Sequence, residues 1–204
     1  MIKGKMIKNS ITFVLIFFLF IFPLNSQNAS EILIYADEIF YDKNNNLIGK
    51  GKAKILFENQ IINADLIIYQ KNSQKIIIPK SFKYKDGENN LYFGTEGSFN
   101  TNFSTGFIKD VKILLNDGSR IVGNKFQRED NIDIISKGVY SPCSSRIKIA
   151  NFVCPIWQLE GEKILHDNSS LLLYQKHSKM RVLNIPVFYL PYILAPSPLR
   201  KDRK

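Results

Sequence analysis

The side chains best suited to covalent, acid–base or metal chemistry are few: two cysteines, two histidines and a scatter of carboxylates. His166 precedes Asp167 in a turn-like stretch, and His177 lies in Lys176-His177-Ser178-Lys179, so both read as solvated loop residues. Asp37 and Asp65 occupy equivalent places in a repeat, which points to a structural task at a strand edge rather than proton transfer. Gly49-Lys50-Gly51-Lys52 lacks the spacing and the following helix of a phosphate-binding loop. Cys143 and Cys154, with no histidine near them in sequence, supply at best half a zinc site. No nucleophile, base and orienting group come together. The expectation is a non-enzymatic protein with no cofactor and no metal.

The elements that hold these residues begin with the leader. Lys3, Lys5 and Lys8 precede an apolar run from Ile11 to Phe22, then Pro23 and polar residues. That run is too short for a bilayer helix of roughly 20 residues and matches a secretory signal, expected over residues 1–29. In an oxidising compartment the default expectation for Cys143 and Cys154 is a disulfide, stabilising by about 3 kcal/mol. Pairing outside this chain and free thiols are the alternatives. The formal charge of +10 is concentrated in the leader and in Arg200-Lys201-Asp202-Arg203-Lys204. The body is only mildly basic and carries no Lys/Arg stripe, so nucleic acid is not an expected partner.

Four stretches echo one another about 28 to 30 residues apart: Ala36-Asp37-Glu38-Ile39, Ala64-Asp65-Leu66-Ile67, Gly94-Thr95-Glu96-Gly97 and Gly123-Asn124-Lys125-Phe126. Such a period means stacked supersecondary units, here of hairpin length. Alternation of apolar and polar residues runs through most of Ile32 to Ile193. It places Ile55 and Phe57, Ile62 and Leu66, Phe93, and Val111 with Ile113 on dry faces. Asn, Asp and Gly clusters at 42–46, 71–74, 86–89, 116–118 and 167–169 mark turns. The fold class is all-β.

Two segments break the pattern. Residues 141–155 hold both cysteines without clean alternation and read as a loop inserted between strands. Pro186-Val187-Phe188-Tyr189-Leu190-Pro191-Tyr192 belongs at a sheet edge or a strand end, because proline removes a ladder donor. A rolled sheet that fails to close leaves an apolar groove and unpaired edges, a conduit for amphipathic lipids. The competing expectation is that the same residues fill a closed core, as in an adhesin or structural repeat domain without a ligand.

The repeat of Ala36-Asp37-Glu38-Ile39 and Tyr41, Gly49 and Gly51, then Ala64-Asp65 and Tyr69 resembles the OstA-like periplasmic β-jellyroll of lipopolysaccharide-transport proteins. Tyr140-Ser141-Pro142-Cys143, Pro155-Ile156-Trp157-Gln158, Lys163 to Asp167 and Pro186 to Tyr192 resemble, more specifically, the N-terminal part of the outer-membrane LPS-assembly (organic solvent tolerance) family. The resemblance covers residues 32 to 200. It implies a periplasmic jellyroll at the outer membrane that receives lipopolysaccharide from a bridge of similar jellyrolls and passes it to a barrel plugged by a lipoprotein. It implies that Ile32, Ile34, Ala36 and Ile39 lie on the edge a bridge protomer augments. It further implies that Ile55, Phe57, Ile62, Leu66, Phe93, Val111 and Ile113 touch lipid A acyl chains in an unfilled groove.

The expected layout is a signal at 1–29, a jellyroll at 30–140, a cysteine loop at 141–155, closing strands at 156–195 and a basic junction at 196–204. The sequence stops near where the family enters its first membrane strand, and the cysteine spacing departs from the family's closer pair. A free-standing periplasmic bridge protein of the same jellyroll family is the alternative expectation.

Overall fold

The computed structural model describes residues 32–141, 146–149 and 152–196. The expected leader, Cys143 with its expected disulfide, and the basic residues from 197 onward lie outside the described residues. Every regular element among the described residues is a β-strand.

The described residues open with β1 (Leu33–Tyr35), β2 (Glu38–Tyr41), β3 (Leu47–Phe57) and β4 (Gln60–Gln70). Four short strands follow: β5 (Lys75–Ile78), β6 (Phe82–Lys85), β7 (Leu91–Gly94) and β8 (Glu96–Asn100). Three long ones come next: β9 (Thr105–Leu114), β10 (Arg120–Glu129) and β11 (Ile132–Ser141). A separate two-stranded hairpin, β12 (Arg146–Ile149) with β13 (Phe152–Pro155), occupies the cysteine segment and carries Cys154. The chain then runs β14 (Trp157–Asp167), β15 (Leu172–Val182) and β16 (Ile185–Pro196). All but the separate hairpin join one fourteen-stranded antiparallel sheet, with β14 pairing directly onto β11.

Turn chemistry sets the register. Asp42, Asp86, Asp117 and Asp167 each accept a backbone N–H two residues on, the Asx geometry that lets a short polar side chain replace a ladder partner. Glu58-Asn59, Asp130-Asn131 and Leu183-Asn184 are three further two-residue connections, each with left-handed backbone at one or both positions.

The sheet is creased, and the crease explains the repeat. β1 pairs with the end of β3 and β2 with its beginning; β6 pairs with the first half of β4 and β5 with the second; β7 and β8 divide β9 in the same way. The sheet is therefore two limbs of a jellyroll, joined by long strands that cross the fold line. In three of the four echoed motifs, positions one and four are both buried: Ala64 and Ile67, Gly94 and Gly97, Gly123 and Phe126, whereas in the first Ala36 is half-buried and Ile39 exposed. An odd separation on one face requires the alternation to slip at the fold. Left-handed backbone at Lys52, Asp110, Lys137 and His177 marks the same line, and at β3 two residues, Gly51 and Lys52, oppose the single Asp65 as a bulge. Close approach at the fold demands small residues. A Cβ on Gly123 would lie 2.4 Å from Cγ2 of Ile135.

The slip corrects two expected faces. Leu66 is half-buried and Ile67 takes the inner place, because β4 crosses the crease between Ala64 and Ile67. Phe93 stands outside at 40% exposure under the Lys83 ammonium, while Tyr92 and Gly94 point inward. The inner faces also meet each other. Tyr84 of one limb lies 5.4 Å from Phe99 of the other, Tyr92 lies 5.5 Å from Phe126, and Phe82 lies 6.3 Å from Phe99. From β3 to β11 the interior is filled with side chains, where an unfilled groove was expected. Each large apolar side chain so buried contributes about 1.5–3 kcal/mol.

Candidate functional site

Opposite the crease, the two limbs form a mouth lined by turns, and polar groups lock it. Arg128 and Asp133 are register partners flanking the Asp130-Asn131 turn. The Arg128 Nε donates to Asp133 Oδ1 at 2.7 Å and an Nη to Oδ2 at 2.9 Å, with side chains 14% and 6% exposed. This is the two-pronged guanidinium–carboxylate geometry that gives the strongest hydrogen bonds. The guanidinium also lies over the Phe126 ring at 5.4 Å and reaches across the mouth to the Tyr84 hydroxyl at 3.5 Å. Tyr84 donates in turn to the side-chain Oε1 of Gln60, so a chain of contacts spans both limbs. Asn168 adds a hydrogen bond to Asp133, and Tyr92 donates to Asp86 at 3.1 Å. Phe103, from the turn between β8 and β9, folds back onto Tyr84, Phe99 and Phe57 and closes one side of the mouth. Its left-handed backbone and its place between polar neighbours hid this role in the sequence.

Burial sets the protonation states. It pushes the Tyr84 phenol up to about 12 and the Tyr92 phenol well above its ordinary value. Burial works against the charge on Arg128, but the hydrogen bonds and charge of Asp133 outweigh it and hold the guanidinium protonated. His166 is not the solvated loop residue expected. It lies on β14 directly across from Asp133, half-buried, and burial lowers its pKa. His177 is exposed as expected, but it lies on β15, with Nδ1 2.8 Å from the Tyr189 hydroxyl. Among the described residues no group of three His, Cys, Asp or Glu could hold a metal ion. The mouth encloses about 360 Å³ between these polar groups, whereas the apolar cavity beneath it, between Phe126, Ile164 and Leu173, has only about 30 Å³.

The interior loosens toward β16. Register places Tyr140, Leu159, Met180 and Phe188 in line across the first limb, on the inner side. Tyr140, Leu159 and Met180 are half-buried, Leu190 is 40% exposed and Phe188 61% exposed. This is an apolar surface with no covering limb. β16 pairs only with β15 among the described residues, as the prolines of its sequence anticipated. At the other end of the sheet β1 and β2 pair only with β3 among the described residues.

Of the residues singled out from sequence, Ile55, Phe57, Ile62, Val111 and Ile113 are buried together in the filled part of the interior. Leu66 and Phe93 are not with them. Ile32, Ile34 and Ala36 are partly buried against the core at the free edge, and Ile39 on β2 is exposed. The uncovered face near β16 has no signal of its own in the sequence, because alternation tells which side chains share a face and not whether a second limb covers them.

No family model matches the chain. A structure of LptH from Pseudomonas aeruginosa, described as the LptA homologous periplasmic component of the conserved lipopolysaccharide transport device, aligns with 83% of this chain and 96% of its own at 12% identity, with a TM-score of 0.30. The TCP10 domain of Danio rerio CPAP, solved with a peptide of STIL, aligns with 78% of this chain and 99% of its own at 11% identity, with a TM-score of 0.15. The LPS-assembly protein LptD of Nitrosococcus oceani is 20% identical over 179 residues, which is 85% of this chain and 23% of that protein. The chain thus spans about a quarter of that curated relative's length and is similar in sequence to LptD, of the family that its Ser-Pro-Cys, Pro-x-Trp-Gln and aromatic-proline motifs resemble.

Proposed function

We propose that this chain is a periplasmic lipopolysaccharide-transport module of LptD type. It is exported, lies at the periplasmic face of the outer membrane, and holds acyl chains on the way to a transmembrane barrel. The observation that carries this reading is the uncovered apolar face of Leu159, Met180, Phe188 and Leu190, in a chain whose sequence is similar to LptD. Apolar area hidden from water contributes about 25 cal/mol per Å², so an acyl chain laid on that face is held without further chemistry. The module has no engine, and direction comes from its partners. A bridge jellyroll adds its strand at the β1 and β2 edge, where Ile32, Ile34, Ala36 and Ile39 lie, and a plug lipoprotein belongs to the barrel stage. Ile55, Phe57, Ile62, Val111 and Ile113 face the filled interior, so they reach lipid only when the limbs part.

A photo-crosslinking amino acid at Leu159 or Met180, in cells that make lipopolysaccharide, is expected to give a lipopolysaccharide adduct. The same group at Phe93, on the outer face, is expected to give none. Absence of an adduct at every inner position sinks the proposal. The second reading, a closed-core structural domain without a ligand, is favoured by the aromatic packing between the limbs, and that negative result is what it predicts.

A further inference from the structure

Two polar side chains lie on the inner face beside the uncovered surface and have no hydrogen-bond partner among the described residues. Gln175 and Ser178, both on β15, are each 1% exposed, and the Gln175 amide nitrogen, its carbonyl oxygen and the Ser178 hydroxyl make no hydrogen bond. Left-handed backbone at His177 slips the alternation, so that both side chains face inward although they are three residues apart. Their placement is built in. Gly161 on the neighbouring strand leaves the space in which the Gln175 side chain lies, since a Cβ there would be 2.3 Å from Nε2. Next to them in register, Leu190 opposite Ser178 and Ile193 opposite Gln175 continue an apolar floor toward the free edge.

Burying such groups unpaired costs about 1–3 kcal/mol each, and a leucine or alanine in their places would avoid that cost. We infer that Gln175 and Ser178 form a polar subsite in the apolar floor, taking an acyl chain that carries a hydroxyl group. A hydroxyl both donates and accepts. It can give its proton to Gln175 Oε1 and receive one from Nε2 or from Ser178, while the hydrocarbon on either side lies against Leu190 and Ile193. A plain chain leaves all three polar atoms unmatched. The subsite rests on the lipid-carrier reading above and adds a chemical preference to it.

The test is competition for the purified chain against a fluorescent fatty-acid probe. Tetradecanoic acid is compared with 3-hydroxytetradecanoic acid, and octadecanoic acid with 12-hydroxyoctadecanoic acid. One net hydrogen bond corresponds to a preference of roughly five- to tenfold for a hydroxylated acid. Gln175→Leu is expected to abolish that preference while binding the plain acids as tightly as the parent chain. Ser178→Ala is expected to weaken it. Without lipid, Gln175→Leu is also expected to raise the melting temperature. Equal binding of plain and hydroxylated acids overturns the subsite and leaves the carrier reading intact, whereas binding of none of them overturns both. A fall of several degrees in the Gln175→Leu melting temperature also overturns the subsite, because it means the amide has a structural partner.

Discussion

Replacing Arg128 by methionine tests whether the mouth is held by a buried ion pair. The thioether keeps most of the stem's packing against Phe126 and removes the charge, the two hydrogen bonds to Asp133 and the reach to Tyr84. Asp133, 6% exposed on its side chain, then loses its charge partner and keeps the hydrogen bond from Asn168 at 3.2 Å, with His166 opposite it in register. An uncompensated buried carboxylate costs about 3–5 kcal/mol, against about 0–1 kcal/mol for an exposed pair. The assay is urea unfolding followed by the fluorescence of Trp157, the chain's one tryptophan, which begins β14. With a slope of about 2 kcal/mol/M, the midpoint is expected to fall by about 2 M with the slope unchanged. The double variant Arg128→Met, Asp133→Leu is expected to recover most of the loss, since an apolar pair of similar volume avoids both desolvation terms. A single-variant cost below about 1 kcal/mol, or a double variant no better than the single, would refute the idea that charge complementarity closes the mouth.

Three further outcomes follow from the same geometry. Burial lowers the folded-state pKa of His166, so below its ordinary value of 6.5 the unfolded chain binds a proton that the folded chain does not. Stability should be complete above that value and fall as pH drops below it, and His166→Gln should flatten the decline in urea titrations at a series of pH values. Tyr84 behaves in the opposite sense: its pKa, raised from 10.0 to about 12, gives stability that is intact below pH 10 and lost as pH rises toward 12. Tyr84→Phe should remove that alkaline loss, and a curve unchanged by the substitution would show that another group is responsible. Gly123→Val should destabilise by about 1–3 kcal/mol or more through overpacking against Ile135, while Gly87→Ala, whose added carbon meets nothing within 4 Å, should change little in thermal melts.

Much of the architecture is legible in the residues because turn chemistry and alternation are local. Asp42, Asp86, Asp117 and Asp167 announce their hairpins through their own side-chain oxygens. The repeat is visible too, but its meaning is not. Reading Leu66 as inward assumes that alternation continues through Ala64-Asp65-Leu66-Ile67, and only the crease reveals that it slips there. Phe93 misleads for a different reason. Phenylalanine is the more apolar neighbour of Tyr92, yet Tyr92 goes inside because its hydroxyl finds Asp86 in the mouth. The Arg128–Asp133 pair was within reach: once Asp130-Asn131 is taken as a two-residue turn, register places the two opposite each other. Phe103 was not, since nothing local says that a turn phenylalanine folds back over the strands.

The filled interior and the uncovered end impose an order on how a lipid could use this fold. Separating the limbs between β3 and β11 would expose Tyr84, Phe99, Phe126, Ile108 and their neighbours, each worth about 1.5–3 kcal/mol. Even ten such side chains amount to roughly 15–30 kcal/mol, more than the total stability of a typical domain. Spontaneous opening along that length is therefore negligible. An acyl chain can enter it only by replacing side-chain contacts step by step as it advances. Along the face of Leu159, Met180, Phe188 and Leu190 no such replacement is needed, because Phe188 and Leu190 are already exposed. On the proposed carrier function, binding would begin at this uncovered floor. Any passage toward β3 must then proceed from that end against the aromatic packing, with the Arg128–Asp133 lock as a further polar barrier at the mouth.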